Sequence, residues 1–282
     1  MPELPELDVM QEVLTDRIVG RTIVAVNAFH PSILKTVDPG LDTLTGKSFK
    51  AISRRGKHLI LTVENDLHVV VHLMAAGRLI LCKSNTKATK ATGCLITFED
   101  GRDLRIIENI TTHRVRVHVV HDPAEVEAIA NAGVEPLTSD FTIEYLSEHV
   151  LGRTRQLKKL LTDQTIIAGI GTAYADEILF AAKLSPIRYG TTLGEDEIHR
   201  LHQSIQSVLH WATDEIRAEA GGATLTPHKR KFLRIYKKTN QPCPECGANI
   251  AEIRYAQTNT YYCPGCQSQG KALRDRRSWL TR

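Results

Sequence analysis

The sequence predicts an α+β chain of several domains: an N-terminal helix, a β-sandwich or flattened barrel, a helical domain and a small cysteine-bound ribbon. Three observations predict it. Apolar residues recur at helical intervals from residue 3 to about 18, short period-two runs fill Arg21 to Val120, and four cysteines stand in two C-x2-C pairs near the end. A length of 282 residues favours two or more domains, and 42% hydrophobic with 24% charged residues excludes a wholly disordered or collagen-like chain.

The first helix rests on Leu4, Leu7, Met10, Val13 or Leu14, and Ile18, with acids and Gln between them. The strand runs are TIVAVNAF, HLILTV, HVVVHLM, RLILC, CLITF, LRII and VRVHVV, rich in Val, Ile and Thr and parted by Gly, Asp or Asn. Spacing this short suggests a sandwich or barrel rather than a parallel sheet. After Asp122-Pro123 the pattern turns helical, with helices expected over Pro123 to Ala132, Thr142 to Leu151, Arg153 to Leu161, Ala173 to Ala182 and Glu195 to Ala218. GVEPLTSD reads as a linker. The boundaries expected are 1–132 for the β domain, 133–140 for the linker, 141–238 for the helical domain, 239–270 for the ribbon and 271–282 for a basic tail. The longest apolar stretch falls well short of the ~18 residues a membrane helix needs, and the acidic opening MPELPELD has no basic n-region. A cytoplasmic protein away from the membrane is the expectation.

Cys243, Cys246, Cys263 and Cys266 form C-x2-C, a sixteen-residue gap, then C-x2-C. Two such knuckles supply four thiolates to one tetrahedral Zn2+, with no vacant position for a substrate, so the metal is expected to be structural. Arg254, Tyr255, Tyr261 and Tyr262 are expected near the ribbon's tip. Cys82 and Cys94 sit alone in strand runs and read as small buried hydrophobes.

The net charge of +4 is only mildly basic, but it is concentrated. PHKRKFLRIYKK (Pro227 to Lys238) carries six Lys or Arg, no acid, and the interleaved aromatics Phe232 and Tyr236, and a second basic tail follows the cysteines. Such clusters neutralise phosphates and point to a polyanion. GIGTAYADEILF sets Gly169 and Gly171 before a helix, where backbone N–H groups can meet a phosphate. The same turn also serves as a tight connection, and the lack of a preceding strand and a third glycine excludes a dinucleotide fingerprint.

The opening admits two readings. Pro2, Glu3 and Glu6 can simply start a helix, with the acids favoured by its dipole. If Met1 is removed, Pro2 instead carries a secondary amine, partly neutral at pH 7, that can attack an aldehydic carbon, with Glu3 placed to move the proton.

Taken together, PELPELD, RRGKHLIL, His72-Leu73, GVEPL, GIGTAYADEIL, QPCPEC and YYCPGCQ resemble the formamidopyrimidine-DNA glycosylase and endonuclease VIII family, nearly end to end, with the opening closer to the first branch. The resemblance implies a helix capping a two-sheet β-sandwich, a helix–two-turns–helix domain and a C-terminal zinc ribbon holding one structural Zn2+. It implies a bifunctional DNA glycosylase and AP lyase, monomeric, acting on duplex DNA that carries a damaged base or abasic site. In it Pro2 is the nucleophile at C1′, Glu3 the acid at the sugar, Glu6 a support for the amino end, and Lys57 a phosphate-contacting proton donor. Gly169, Gly171, Thr172, Tyr236, Arg254 and Thr258 are the implied DNA-contacting positions.

Three departures stand out. Thr172 replaces an Asn that contacts phosphate, Thr258 stands where an Arg is usual, and the residues that fill the vacated stack are not recognisable at Met74 or in ENITTHR (Glu108 to Arg114). Two rival readings follow: a non-catalytic DNA-binding protein on the same scaffold, and a zinc-ribbon adaptor for RNA or protein.

Overall fold

The amphipathic run at the amino end folds as helix α1 (Leu4–Ile18) in the computed structural model, which describes residues 1–108, 113–220, 230–254 and 259–273. Leu4, Leu7, Met10, Leu14 and Ile18 are buried, so the helical spacing is spent on one packed face. Eight antiparallel strands follow: β1 (Ile23–Ala28), β2 (Phe49–Arg55), β3 (His58–Val63), β4 (Leu67–His72), β5 (Gly77–Lys83), β6 (Thr92–Phe98), β7 (Arg102–Glu108) and β8 (Arg116–Val120). They form two four-stranded sheets, ordered β1-β6-β7-β5 and β2-β3-β4-β8. Phe49 of one sheet meets Phe98 of the other edge to face, with ring centroids 6.1 Å apart.

Strand β2 was not among the period-two runs. A register irregularity between Phe49 and Ala51 interrupts its alternation, and Lys50, Arg54 and Arg55 mask its pattern. Among the lone cysteines, Cys94 is buried as expected and its thiol is pushed up to about 12 by that burial, whereas Cys82 is only partly covered.

The chain divides into two compact units. One holds Met1–Ala132 with residues 213–220, and the other holds Gly133–Ala212 with the described residues from Arg230 onward. The second contains α3 (Ile143–Val150), α4 (Leu157–Leu161), α5 (Thr172–Ala181), most of α6 (Glu195–Ala220), the ribbon strands β9 (Ala251–Arg254) and β10 (Asn259–Tyr262), and α7 (Pro264–Ser268). The helix expected over Pro123 to Ala132 is instead a 3-10 turn at Pro123–Glu125 followed by the short α2 (Glu127–Ala130). The helix expected from Arg153 begins only at Leu157, because the carbonyls of Arg153 and Arg155 accept hydrogen bonds from Thr191 and Gly190. Gly190 is required there, since a Cβ would lie 2.0 Å from the Val150 carbonyl. The GVEPL segment is not a loose tether: Gly133 and Val134 donate to the carbonyls of Gln164 and Ile166.

Candidate active site and metal centre

Helix α1 is started by two carboxylates working on each other. Glu3 occupies the N-cap in extended conformation, with Pro5 in the first turn, where its missing N–H costs nothing. A reciprocal capping box closes the end: Glu3 accepts from the backbone of Glu6, and the backbone N–H of Glu3 donates to Glu6 Oε2 at 2.9 Å. Both acids are 2% exposed, and the helix dipole favours their charge. Pro2 is buried beside them, while Met1 is 45% exposed.

Lys57 stands on the turn between β2 and β3, after Gly56 at φ +56°, and is largely buried. That turn is tied to α1: Arg54 is paired with Asp8 and donates to the Gly56 carbonyl at 3.1 Å. His72, at the end of β4, feels both Lys57 and the amino terminus. Burial first, then these and neighbouring cations, lowers its imidazole to about 3. Pro2, Glu3, Glu6, Lys57 and His72 thus all belong to the first unit, and Lys57 and the amino end act on one imidazole. In the sequence His72 stands out only as part of the His72-Leu73 pair. Its role as a neighbour of the amino end was visible in no local motif.

In the second unit, Gly171 is the N-cap of α5 and Gly169 has φ +86°. Gln164 builds this turn by accepting from the Gly169 N–H at 3.0 Å and donating to the Ile170 carbonyl at 2.8 Å. The half-buried Thr172 is the first helical residue, and no acid occupies the first turn. Tyr236 is held to the same helix: buried Glu177 accepts the backbone N–H groups of Arg234, Ile235 and Tyr236 at 3.1, 2.8 and 3.0 Å. Asp176 beside it accepts from the Tyr261 N–H at 3.1 Å and pairs with Lys158 at 2.7 Å. Lys158 also donates to the Asn259 carbonyl at 2.9 Å, so α4, α5 and β10 are joined through buried charge. Burial pushes the Asp176 carboxyl up to about 7, against the pull of Lys158. The sequence offered one sign of this, two adjacent acids on an otherwise apolar helix.

The ribbon corrects one expectation. Tyr261 and Tyr262 are 7% and 1% exposed and pack inward rather than standing at a tip, because Tyr261 stacks edge-on with Tyr236 and Tyr262 accepts from the Leu273 N–H. Arg254 is exposed at the end of β9 and pairs with Glu252. Tyr255, Thr258, residues 109–112 of ENITTHR, residues 227–229 of the basic stretch and most of the tail lie outside the described residues.

The Sγ atoms of Cys243, Cys246, Cys263 and Cys266 all fall within 4.8 Å of one another, with Cys243–Cys266 at 3.9 Å and Cys246–Cys263 at 3.3 Å. Tetrahedral zinc with Zn–S near 2.3 Å needs sulfurs roughly 3.8 Å apart, so the cluster fits the ion. Backbone N–H groups of Glu245 and Cys266 point at Cys243 and Cys263 sulfur, as knuckles do when they support thiolates.

Comparison with known proteins agrees with this layout. Residues 1–115 match the formamidopyrimidine-DNA glycosylase N-terminal domain, 132–225 the H2TH domain of the same enzymes, and 240–269 the zinc finger found in FPG and IleRS. The formamidopyrimidine-DNA glycosylase of Desulforamulus reducens is 34% identical, over 95% of this chain and 99% of its own length. This chain belongs to the formamidopyrimidine-DNA glycosylase family. The Lactococcus lactis glycosylase, solved in complex with FAPY-dG-containing DNA, superposes with a TM-score of 0.86 at 31% identity, covering 94% of this chain and 100% of that one. The same protein bound non-covalently to DNA with an AP site gives 0.85 at 30% identity, covering 94% and 99%. The α+β architecture of helix, two-sheet sandwich, H2TH domain and four-cysteine finger is that of this glycosylase family, and the finger holds one structural zinc. Among the described residues, no helix is long and apolar enough to cross a membrane.

Proposed function

We propose that this glycosylase is bifunctional, removing a damaged base and cutting the strand through a Schiff base on Pro2. The observation that carries the reading is the capping box at α1, which fixes a buried proline next to two buried carboxylates at the amino end. Met1, exposed, is removed, and the Pro2 nitrogen becomes a secondary amine. The damaged nucleotide is flipped out so that its C1′ can be reached. The amine lone pair forms the N–C1′ bond, the glycosidic bond breaks, and its electron pair leaves with the base, which takes up the proton that the nitrogen loses. Glu3 protonates the sugar ring oxygen as the ring opens, which leaves a cationic iminium at C1′. That cation acidifies C2′; loss of the C2′ proton drives the electron pair to expel the 3′ phosphate. Water then releases the sugar remnant and restores the amine.

The other residues bind and position. Glu6 holds the Glu3 peptide, and Lys57 contacts phosphate and supplies a proton. Gly169, Gly171 and Thr172 present the first turn of α5 to the DNA backbone, with Tyr236, Arg254 and Thr258 as further contacts. The zinc finger keeps its own strands folded for that purpose. The substrate is duplex DNA with a damaged base or abasic site; the Lactococcus lactis relative was solved with FAPY-dG-containing DNA and with DNA containing an AP site.

Borohydride reduces an iminium to a stable amine, so the chain should become crosslinked to an abasic-site oligonucleotide. An acetylated or extended amino end should abolish this crosslink, and mass spectrometry should show Met1 absent. Full trapping with a blocked amino end places the nucleophile on a lysine. The departures at Thr172 and Thr258 motivate a second reading, DNA binding without chemistry, and absence of trapping in every context favours it.

A further inference from the structure

Between the end of α5 and the middle of α6, the second unit carries an open pocket of about 360 Å³ lined by Ala181, Ser207, Val208, Trp211 and Arg234. Three segments build it. Ala181 is the last residue of α5, and Ser207, Val208 and Trp211 stand close together on one face of α6. Arg234 comes from the segment that buried Glu177 holds through the backbone N–H groups of Arg234, Ile235 and Tyr236.

The Arg234 guanidinium is held everywhere except at its terminal nitrogens. Its central carbon lies 4.9 Å from the Trp211 ring centroid and 5.5 Å from that of Phe180. Its Nε is 3.5 Å from Glu177 Oε2, and Phe232 braces the indole edge to face at 5.4 Å. The two Nη groups have no acceptor among the described residues, and the side chain is 32% exposed. Paired N–H donors beside an indole fit a carboxylate attached to an apolar group. Glu177 already offsets part of the cation's charge, so a singly charged carboxylate matches better than a dianionic phosphate.

The surroundings select the source of that carboxylate. Lys231 and Lys237, on either side of Arg234 in the chain, are exposed, and neither they nor Lys238 make an ion pair among the described residues. Lys183, paired with Glu245, lies over the Phe180 ring. Such a cluster draws in an acidic chain. The volume is at the low end of ligand-sized pockets, enough for the end of a chain and too small for a folded element. We infer that the pocket receives the C-terminus of a partner protein, an acidic tail whose last residue is apolar. The α-carboxylate takes the Nη pair of Arg234, the last side chain lies against Trp211, Val208 and Ala181, and the preceding acids meet Lys231 and Lys237. Only at a chain end do a carboxylate and an apolar side chain share one carbon in this way. The site recruits a partner and has no part in the chemistry at the amino end.

The test uses the full zinc-loaded chain and a synthetic peptide of aspartates ending in phenylalanine, labelled at its amino end for fluorescence anisotropy. It is made with a free carboxylate and with a carboxamide. The free acid should bind about tenfold or more tightly, as expected for a charge-assisted pair of hydrogen bonds. R234Q should erase this difference, and R234K, which keeps the charge without the paired donors, should lose most of it. Ala181→Phe, which fills the pocket and leaves Arg234 in place, should weaken the free acid as much, with borohydride trapping and affinity for an abasic-site duplex unchanged. Zinc content and thermal midpoint are measured for each variant. Equal binding of the two peptides by the wild-type chain, or an undiminished preference for the free acid in folded A181F, overturns the inference, because the lysines alone then account for the attraction. Loss of duplex affinity in folded A181F gives the pocket to DNA and overturns it as well.

Discussion

Glu3 and Glu6 at the start of α1, and Asp176 and Glu177 within α5, are both acid pairs removed from water, at 2% and 0% exposure. All four accept backbone N–H groups, so each has the partners that burial demands. The difference lies in what the partners belong to. At α1 the acids cap their own helix, a local solution written within four residues of sequence. In α5 they bond to segments 57 and 85 residues away, and they join α5 to the 234–236 segment and to β10. One pair leaves a short stretch of chain fixed beside Pro2; the other fixes a domain. On the proposed reading of Pro2, it is the locally satisfied pair that stands beside the chemistry.

The largest effect expected from breaking the second arrangement comes from the metal that shares it. Chelation of zinc, or Cys246→Ser, should unfold the ribbon while leaving the α1 unit folded, since binding energies of roughly 10 kcal/mol or more for such sites are folding energies. Metal analysis should find about one zinc per chain for a single four-thiolate site. A ribbon that keeps its amide-exchange protection after chelation would show that Asp176, Glu177 and Lys158 suffice without metal.

Next come the acids themselves. Glu177→Gln puts an amide where three backbone N–H groups converge and should cost about 3 kcal/mol or more in thermal or urea unfolding. Glu6→Gln should cost under about 1 kcal/mol, because a capping box accepts Gln at this position. Single-turnover base release should nevertheless fall in the Glu6 variant. Equal stability losses in the two variants would erase the contrast between a local cap and a tertiary bolt.

The same contrast explains what could be read from sequence. The helix at residues 3–18, most of the strands and the four cysteines were legible because their determinants are local: periodicity, turn residues and knuckle spacing. The inward packing of Tyr261 and Tyr262 and the late start of α4 were not, because each is decided by a partner far along the chain. Strand β2 was hidden by its irregular register, and the contact of His58 with His72 needs β3 and β4 to be aligned before it exists. The Pro2 constellation was legible as residues, but Lys57 and His72 join the amino end only through folding.

A third kind of buried group, held neutral rather than satisfied as an ion, gives a pH signature. His58 and His72 are lowered to about 4 and about 3. The unfolded chain takes up protons near pH 6.5, where the folded chain does not, so this stability is intact above 6.5 and is lost as pH falls toward 4. Each histidine should account for at most about 2 kcal/mol by pH 5. Thermal midpoints from pH 7 to pH 5 should fall, and H58Q/H72Q should flatten the decline. A midpoint that holds to pH 5 in the wild-type chain would mean that an anion or acid already balances the cations around His58 and His72.

A further, modest effect tests whether the second unit's helix end works as the first unit's does, by aiming backbone and side-chain groups at charge. The Gly169–Gly171 turn is rigidly built by Gln164, and Thr172 stands at the first position of α5 with its side chain half-buried. Its first-turn N–H groups point out of the helix end, where a phosphate is favoured. Thr offers one hydroxyl donor, whereas Asn offers an amide with two N–H donors and a longer reach. Thr172→Asn should therefore tighten binding to an abasic-site duplex by about 1 kcal/mol, roughly fivefold in Kd, for one added hydrogen bond. The change should leave trapping at the amino end untouched, since Pro2 and Thr172 belong to different units. Unchanged or weaker affinity would show that the turn has been rebuilt around Thr172, with the helix end engaging DNA through backbone amides alone.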